Sequence, residues 1–263
     1  MLRGVDQKVL ADHSYIGAMR VAVEVCVASV EEAQVASDLG VDSVEVCNWL
    51  ACGGVTPGSG LVDTIRGLVA CQVRVLVRPT PGGFVYSVPE SAVLLTDAEV
   101  FGGGGLGLVT GALDTTGLPH ANLLDLVRTA APESELTFHR AIDVCSDPVR
   151  AADVCMDHGI SRILTSGAAT LAMDGIPMLC ALIQRCGPNC QVAVAGGVGP
   201  GNVVELIERT GLQEVHFAAQ RPVHTSAASV SMSSVHDTHQ FLTEPDAAKI
   251  EGVLNALTKA GLR

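Results

Sequence analysis

From residue 21 onward, short runs rich in valine alternate with longer stretches whose apolar residues recur at helical spacing. The runs predict strands at Val21–Val27, Ser43–Cys47, Val73–Arg78, Leu106–Thr110, Leu136–His139, Arg162–Thr165, Gln191–Ala195 and Glu214–Phe217. Between them, Val30–Leu39 is opened by Ser29, whose hydroxyl can cap a first turn, and stopped by Gly40. Further helical stretches are Leu61–Ala70 after Pro57-Gly58, Pro148–His158 after Asp147, and Pro200–Thr210 before Gly211. The glycines of Phe101-Gly102-Gly103-Gly104-Gly105 would fray any helix end there. The polar, Ser- and His-rich segment Arg221–Gln240 predicts a long surface loop, and Glu244–Lys259 a closing helix. Strands apolar on both faces and separated by helices belong to parallel sheets covered on both sides. Eight such units predict an α/β fold, a single-domain (β/α)8 TIM barrel over residues 21–263, with an open doubly wound sheet as the alternative.

Composition supports this picture and removes some functions. A chain of 263 residues is an ordinary length for one barrel, and aromatics at 3% leave the core to Val, Leu, Ile and Ala. The net charge of −12 would repel a phosphate backbone, so nucleic acid is excluded as an expected partner. Mean hydropathy is +0.38, but no apolar run reaches the roughly 18–20 residues of a membrane-spanning helix. Arg3, Asp6, Lys8, Asp12 and Arg20 interrupt residues 1–20, which predict a flexible extension rather than a secretory signal. Nine cysteines without an export signal predict free thiols in a reducing compartment.

The sharpest local feature is a duplication: Val23-Glu24-Val25-Cys26 in the first strand and Val44-Glu45-Val46-Cys47 in the second. Residues two apart on a strand share a face. If the valines pack outward against helices, Glu24, Cys26, Glu45 and Cys47 all face the barrel interior. Neighbouring strands lie about 4.8 Å apart, so with a suitable shear the two thiols would be neighbours. A thiol pair suits a soft ion, and Cu(I) is the natural candidate. The alternative is two small core cysteines that bind nothing.

A second constellation collects at strand ends: Arg78, His139 and Arg140 with Asp143, Thr165-Ser166-Gly167, and His216. Active sites of barrels are built at the C-terminal ends of the strands. With Glu24 and Glu45, these residues predict either a site for a small anionic or phosphorylated metabolite, or a buried ion-pair network. In the first case Glu45 or His139 would be the general base and Arg78 or Arg140 the anion clamp. The turn Gly196-Gly197-Val198-Gly199-Pro200-Gly201-Asn202, with Ser166 and Gly167, is a weak candidate for binding an anion through backbone N–H groups. His236-x-x-His239 and Cys186-x3-Cys190 carry little weight. Nothing in the chain predicts an organic cofactor.

In order and spacing, these segments resemble the CutC family. The resemblance rests on Glu24–Ser29, Val44–Cys47, Gly53–Pro57, Val77-Arg78-Pro79, Phe84–Ser87, Val109–Leu113, Thr137–Asp143, Arg162–Gly167, Gly197-Val198 with Asn202, and Glu214-Val215-His216. It implies a TIM-like barrel, a cytoplasmic and in animals also nuclear setting, self-association as a dimer or tetramer, and a role in copper handling. It also implies Cys26 and Cys47 as Cu(I) ligands. The chain departs from the family pattern after its third strand. Relatives read Arg-Pro-Arg and then Gly-Gly-Asp-Phe, where this chain has Arg78-Pro79-Thr80 and Pro81-Gly82-Gly83-Phe84. One basic and one acidic group are therefore missing, and Gly199 replaces a basic residue in the glycine turn.

Overall fold

The computed structural model describes residues 20–223 and 243–263. Eight parallel strands close into a barrel in sequence order, so the open-sheet alternative is excluded. The barrel strands are β1 (Ala22–Val27), β2 (Ser43–Val46), β3 (Gln72–Leu76), β4 (Gly107–Thr110), β5 (Leu136–Phe138), β6 (Arg162–Thr165), β7 (Gln191–Val194) and β8 (Glu214–Ala218). The helices that cover them are α1 (Val30–Asp38), α2 (Ser59–Leu68), α3 (Val88–Gly102), α4 (Ala121–Ala130), α5 (Pro148–Asp157), α6 (Ile176–Cys186), α7 (Val203–Thr210) and α8 (Ala247–Lys259).

Local chemistry accounts for several helix starts. Ser29 caps α1 through the N–H of Glu32, and Asp147 caps α5 through that of Arg150. Ser87 and Glu90 form a reciprocal capping box at the start of α3. That helix runs through Phe101 into Gly102, which lies against Ala131 where no side chain would fit. Two predictions at the C-terminal end need correction. Gln220–Pro222 forms a short strand β9, antiparallel to β10 at Thr243–Pro245, so the loop read from Arg221 begins as sheet. The closing helix starts only at Ala247, after Asp246 accepts a hydrogen bond from the Lys249 N–H. Residues 1–19 and 224–242, including His236 and His239, lie outside the described residues.

The alternation along each strand sorts its side chains in two directions. Val23, Val25, Val44 and Val46 join the main core together with helical residues such as Ala33, Ala36 and Ile65. Cys26, Cys47, Leu76 and Val109 form a separate cluster inside the barrel. Strand register decides which interior residues meet. Glu24 lies opposite His216 on β8, and Cys26 lies opposite Glu45 on β2. Among the described residues no helix is long and apolar enough to cross a membrane.

Candidate functional site

A cavity of about 370 Å³ opens at the C-terminal ends of the strands. Cys26, Glu45 and His216 line its floor. Arg78, His139, Arg140, Gly196 and Gly197 line it from the loops that follow β3, β5 and β7, and Lys249 reaches it from α8. Leu50, Leu76, Phe84 and Phe217 supply apolar wall.

On the floor, the shear of the barrel brings the duplicated motif together. Cys26 Sγ and Cys47 Sγ are 3.2 Å apart. Cys47 donates its proton to the Val27 carbonyl at 3.4 Å, which leaves Cys26 as the donor between the sulfurs. The hydrogen bond to Cys47 and burial together hold the Cys26 thiol well above its ordinary pKa. Cys47 is also raised: the bond from Cys26 favours its thiolate, but burial and the Glu45 charge outweigh that. His216 extends the chain of contacts. Its Nδ1 is 2.8 Å from Glu24 Oε1, and its Nε2 is 3.5 Å from Glu45 Oε2. Burial disfavours the imidazolium, but hydrogen bonds to Cys26 and Glu24 and the Glu45 charge push its pKa up to about 10. One ligand atom each from Cys26, Glu45 and His216 fit within 4.8 Å of one another. A carboxylate on the far nitrogen of a histidine is the usual support for a metal-ligating imidazole, because it fixes the ring and its tautomer. These residues therefore fit a bound metal ion, with Cys47 as a further sulfur behind Cys26.

Glu24 does not reach the cavity, contrary to its expected place at the mouth. It lies one layer below the floor, fully buried, with Arg74 Nη1 at 2.5 Å and Arg162 Nη2 at 2.6 Å. Arg162 also meets Glu214 at 2.6 Å, and Arg74 meets Glu135 at 2.8 Å. Burial alone would raise the Glu24 pKa, but Arg162, His216 and Arg74 hold it well below the usual carboxylate range. Glu45, without an arginine in contact, is raised by burial. Of the two predicted arrangements, the buried ion-pair network is present, and it lies one layer beneath a cavity lined by Glu45 and His216. Arg74, Arg162, Glu135 and Glu214 were absent from the predicted constellation. For Arg74, Arg162 and Glu214 the signal was charge at inward-facing strand positions, where a barrel interior needs a partner for every ion; Glu135, partly exposed just before β5, carried no such signal.

At the rim, several expected roles change. Both terminal nitrogens of Arg78 are spent on backbone carbonyls: Cys52 and Gly54 from one loop, Pro81 and Gly82 from another. Arg78 thus staples two loops together and has no terminal N–H left to clamp an anion. His139 Nδ1 accepts from the Ala141 N–H at 3.1 Å. Burial and the Arg78 charge lower the His139 pKa to about 3. The ring is therefore neutral with its proton on Nε2, a donor rather than a general base. Asp143 turns away from the cavity and accepts from Thr165, Ser166, Ala168 and Arg140. Ser166 and Gly167 are consumed in the same loop, Gly167 N–H by Thr165 Oγ1, and neither lines the cavity, whereas Gly196 and Gly197 do. Lys249 was not anticipated, because a lone lysine on a surface helix has no sequence signature. Cys186 and Cys190 pack beside β7, remote from the cavity lining.

The comparisons with known proteins decide the family. Residues 21–221 match the CutC family. The chain belongs to that family. A CutC family protein of Glaesserella parasuis serovar 5 is 34% identical over 239 residues, covering 90% of this chain and 98% of the relative. One of Photobacterium profundum is 32% identical over 246 residues, covering 91% and 100%. Among solved structures, CutC from Streptococcus agalactiae, described as a candidate copper homeostasis protein, superposes with a TM-score of 0.71 at 26% identity. That match covers 75% of this chain and 98% of the other.

Proposed function

We propose that this CutC family member binds Cu(I) at the floor of its barrel and serves copper homeostasis in a reducing, cytoplasmic compartment. The observation that carries the reading is the contact of Cys26 Sγ with Cys47 Sγ at 3.2 Å, beneath a cavity that gives access from solvent. Thiolates are the preferred ligands of Cu(I). His216 is placed to contribute an imidazole nitrogen, supported by Glu24 on its other side. The copper homeostasis description of the Streptococcus agalactiae relative points the same way.

Both thiols and the imidazolium are protonated in the metal-free protein, so loading must release protons. Anaerobic titration of the reduced protein with Cu(I) against a chromogenic chelator should give one ion per chain, accompanied by acidification of a weakly buffered solution. The Cys26→Ser/Cys47→Ser double variant should bind at least about a hundredfold more weakly, the scale of losing a metal's sulfur ligands. Retention of parental affinity by that variant would remove the copper assignment.

A further inference from the structure

A passage built only for a bare cation would be lined with carboxylates, yet the upper cavity is lined with cations. Arg140, Lys249 and the neutral donor His139 all border it, and Glu45 lies below them on the floor. In a chain with 28 acidic and 16 basic residues, this local excess of positive charge runs against the field of the whole molecule.

The donors also have capacity left. Arg140 spends Nε on Asp143 at 2.8 Å and Nη2 on Ser166 and Ala169, and no described residue accepts from its Nη1. Lys249 Nζ donates to the Ala218 carbonyl at 2.7 Å and has two further protons. His139, only 6% exposed, carries a proton on Nε2 that finds no acceptor in the protein. A buried N–H without an acceptor costs about 1–3 kcal/mol, a penalty that a ligand oxygen in the cavity would remove. Arg140 is also held in position for this role, since Asp143 is itself fixed by hydrogen bonds from Ser166 and Ala168.

We propose that the barrel mouth is a binding site for a small molecule bearing an oxyanion, a phosphate or carboxylate, whose charged end is held by Arg140, Lys249 and His139. The volume of about 370 Å³ sets the ligand at metabolite size. Phe84, Phe217 and Leu50 give its remaining atoms an apolar wall above the cysteine floor. These oxyanion contacts lie above the thiol pair in the same cavity and use neither sulfur.

Calorimetric titration of the metal-free, reduced full chain with inorganic phosphate and with malonate, at constant ionic strength, tests the inference. Saturable binding of at least one probe is expected, unchanged in the Cys26→Ser/Cys47→Ser variant. Lys249→Gln and Arg140→Gln should each weaken it about tenfold, the scale of one charge-assisted hydrogen bond. Lys249 is half-buried on a surface helix, so its replacement leaves the fold intact even if Arg140→Gln disturbs the Asp143 loop. A shift of the His139 Nε2 proton resonance on adding the bound probe would support the third contact. Absence of saturable binding for both probes, or affinity unaltered in Lys249→Gln, would overturn the proposal.

Discussion

Arg162 shows at the scale of one residue why the interior of this barrel cannot be treated as simple filling. It is 1% exposed and is shared between Glu24 and Glu214. A buried ion pair is a weak source of net stability, since desolvation offsets most of the attraction, but removing one partner strands the other. Arg162→Met keeps the volume and leaves two buried carboxylates with reduced compensation. The expected cost is about 3–5 kcal/mol, read as a fall in the urea midpoint with the slope of the transition unchanged. A loss below about 1 kcal/mol would mean that Arg74 alone can neutralise both carboxylates, in conflict with its longer 3.6 Å approach to Glu214. The same stranded charge would act on the floor of the cavity, because Glu24 holds His216 by Nδ1.

Among the elements, β4 shows how a strand end shapes a site that it does not itself line. Gly111 follows Thr110, and a methyl group there would overlap the His139 imidazole after β5. Gly111→Ala should therefore push the ring from its place, at a cost of about 1–3 kcal/mol from overpacking. A crystal structure of the variant should show His139 displaced, and an unmoved ring would refute the packing argument. Strands β1, β2, β3 and β7 were legible in the sequence because valine stands at every second position, as a strand packed beneath helices requires. The same parity placed Cys26 and Cys47 on the inner face. What parity could not supply was depth. Glu24 and Cys26 share a face but fall in different layers, one in the ion-pair network and one on the cavity floor. Arg78 illustrates a second limit, since its carbonyl partners lie in loops whose paths no periodicity describes. Lys249 illustrates a third, for its place follows from where α8 docks at the end of the chain.

For the whole molecule, the two buried histidines bracket the pH of greatest stability in the metal-free protein. An unfolded histidine titrates near 6.5. His139 is depressed to about 3 in the fold, so its contribution is present above pH 6.5 and is lost as pH falls toward 3. In that window the unfolded chain binds a proton that the native ring refuses, and stability rises with pH. His216 is raised to about 10, so its contribution is complete below pH 6.5 and is lost as pH rises toward 10. There the native state keeps a proton that the unfolded chain has released, and stability falls with pH. Each limb approaches a slope of one proton, about 1.4 kcal/mol per pH unit. Below the ordinary carboxylate range the depressed Glu24 steepens the acid limb, and above the ordinary thiol range the raised Cys26 and Cys47 steepen the alkaline one. Urea unfolding across pH 5–9 should therefore peak near 6.5. His139→Gln should flatten the curve between about pH 5 and 6.5 while leaving the alkaline limb in place. A curve that keeps its slope in that variant would mean that His139 is not neutral in the fold, and the assignment of its proton to Nε2 as a donor to the cavity would fall with it.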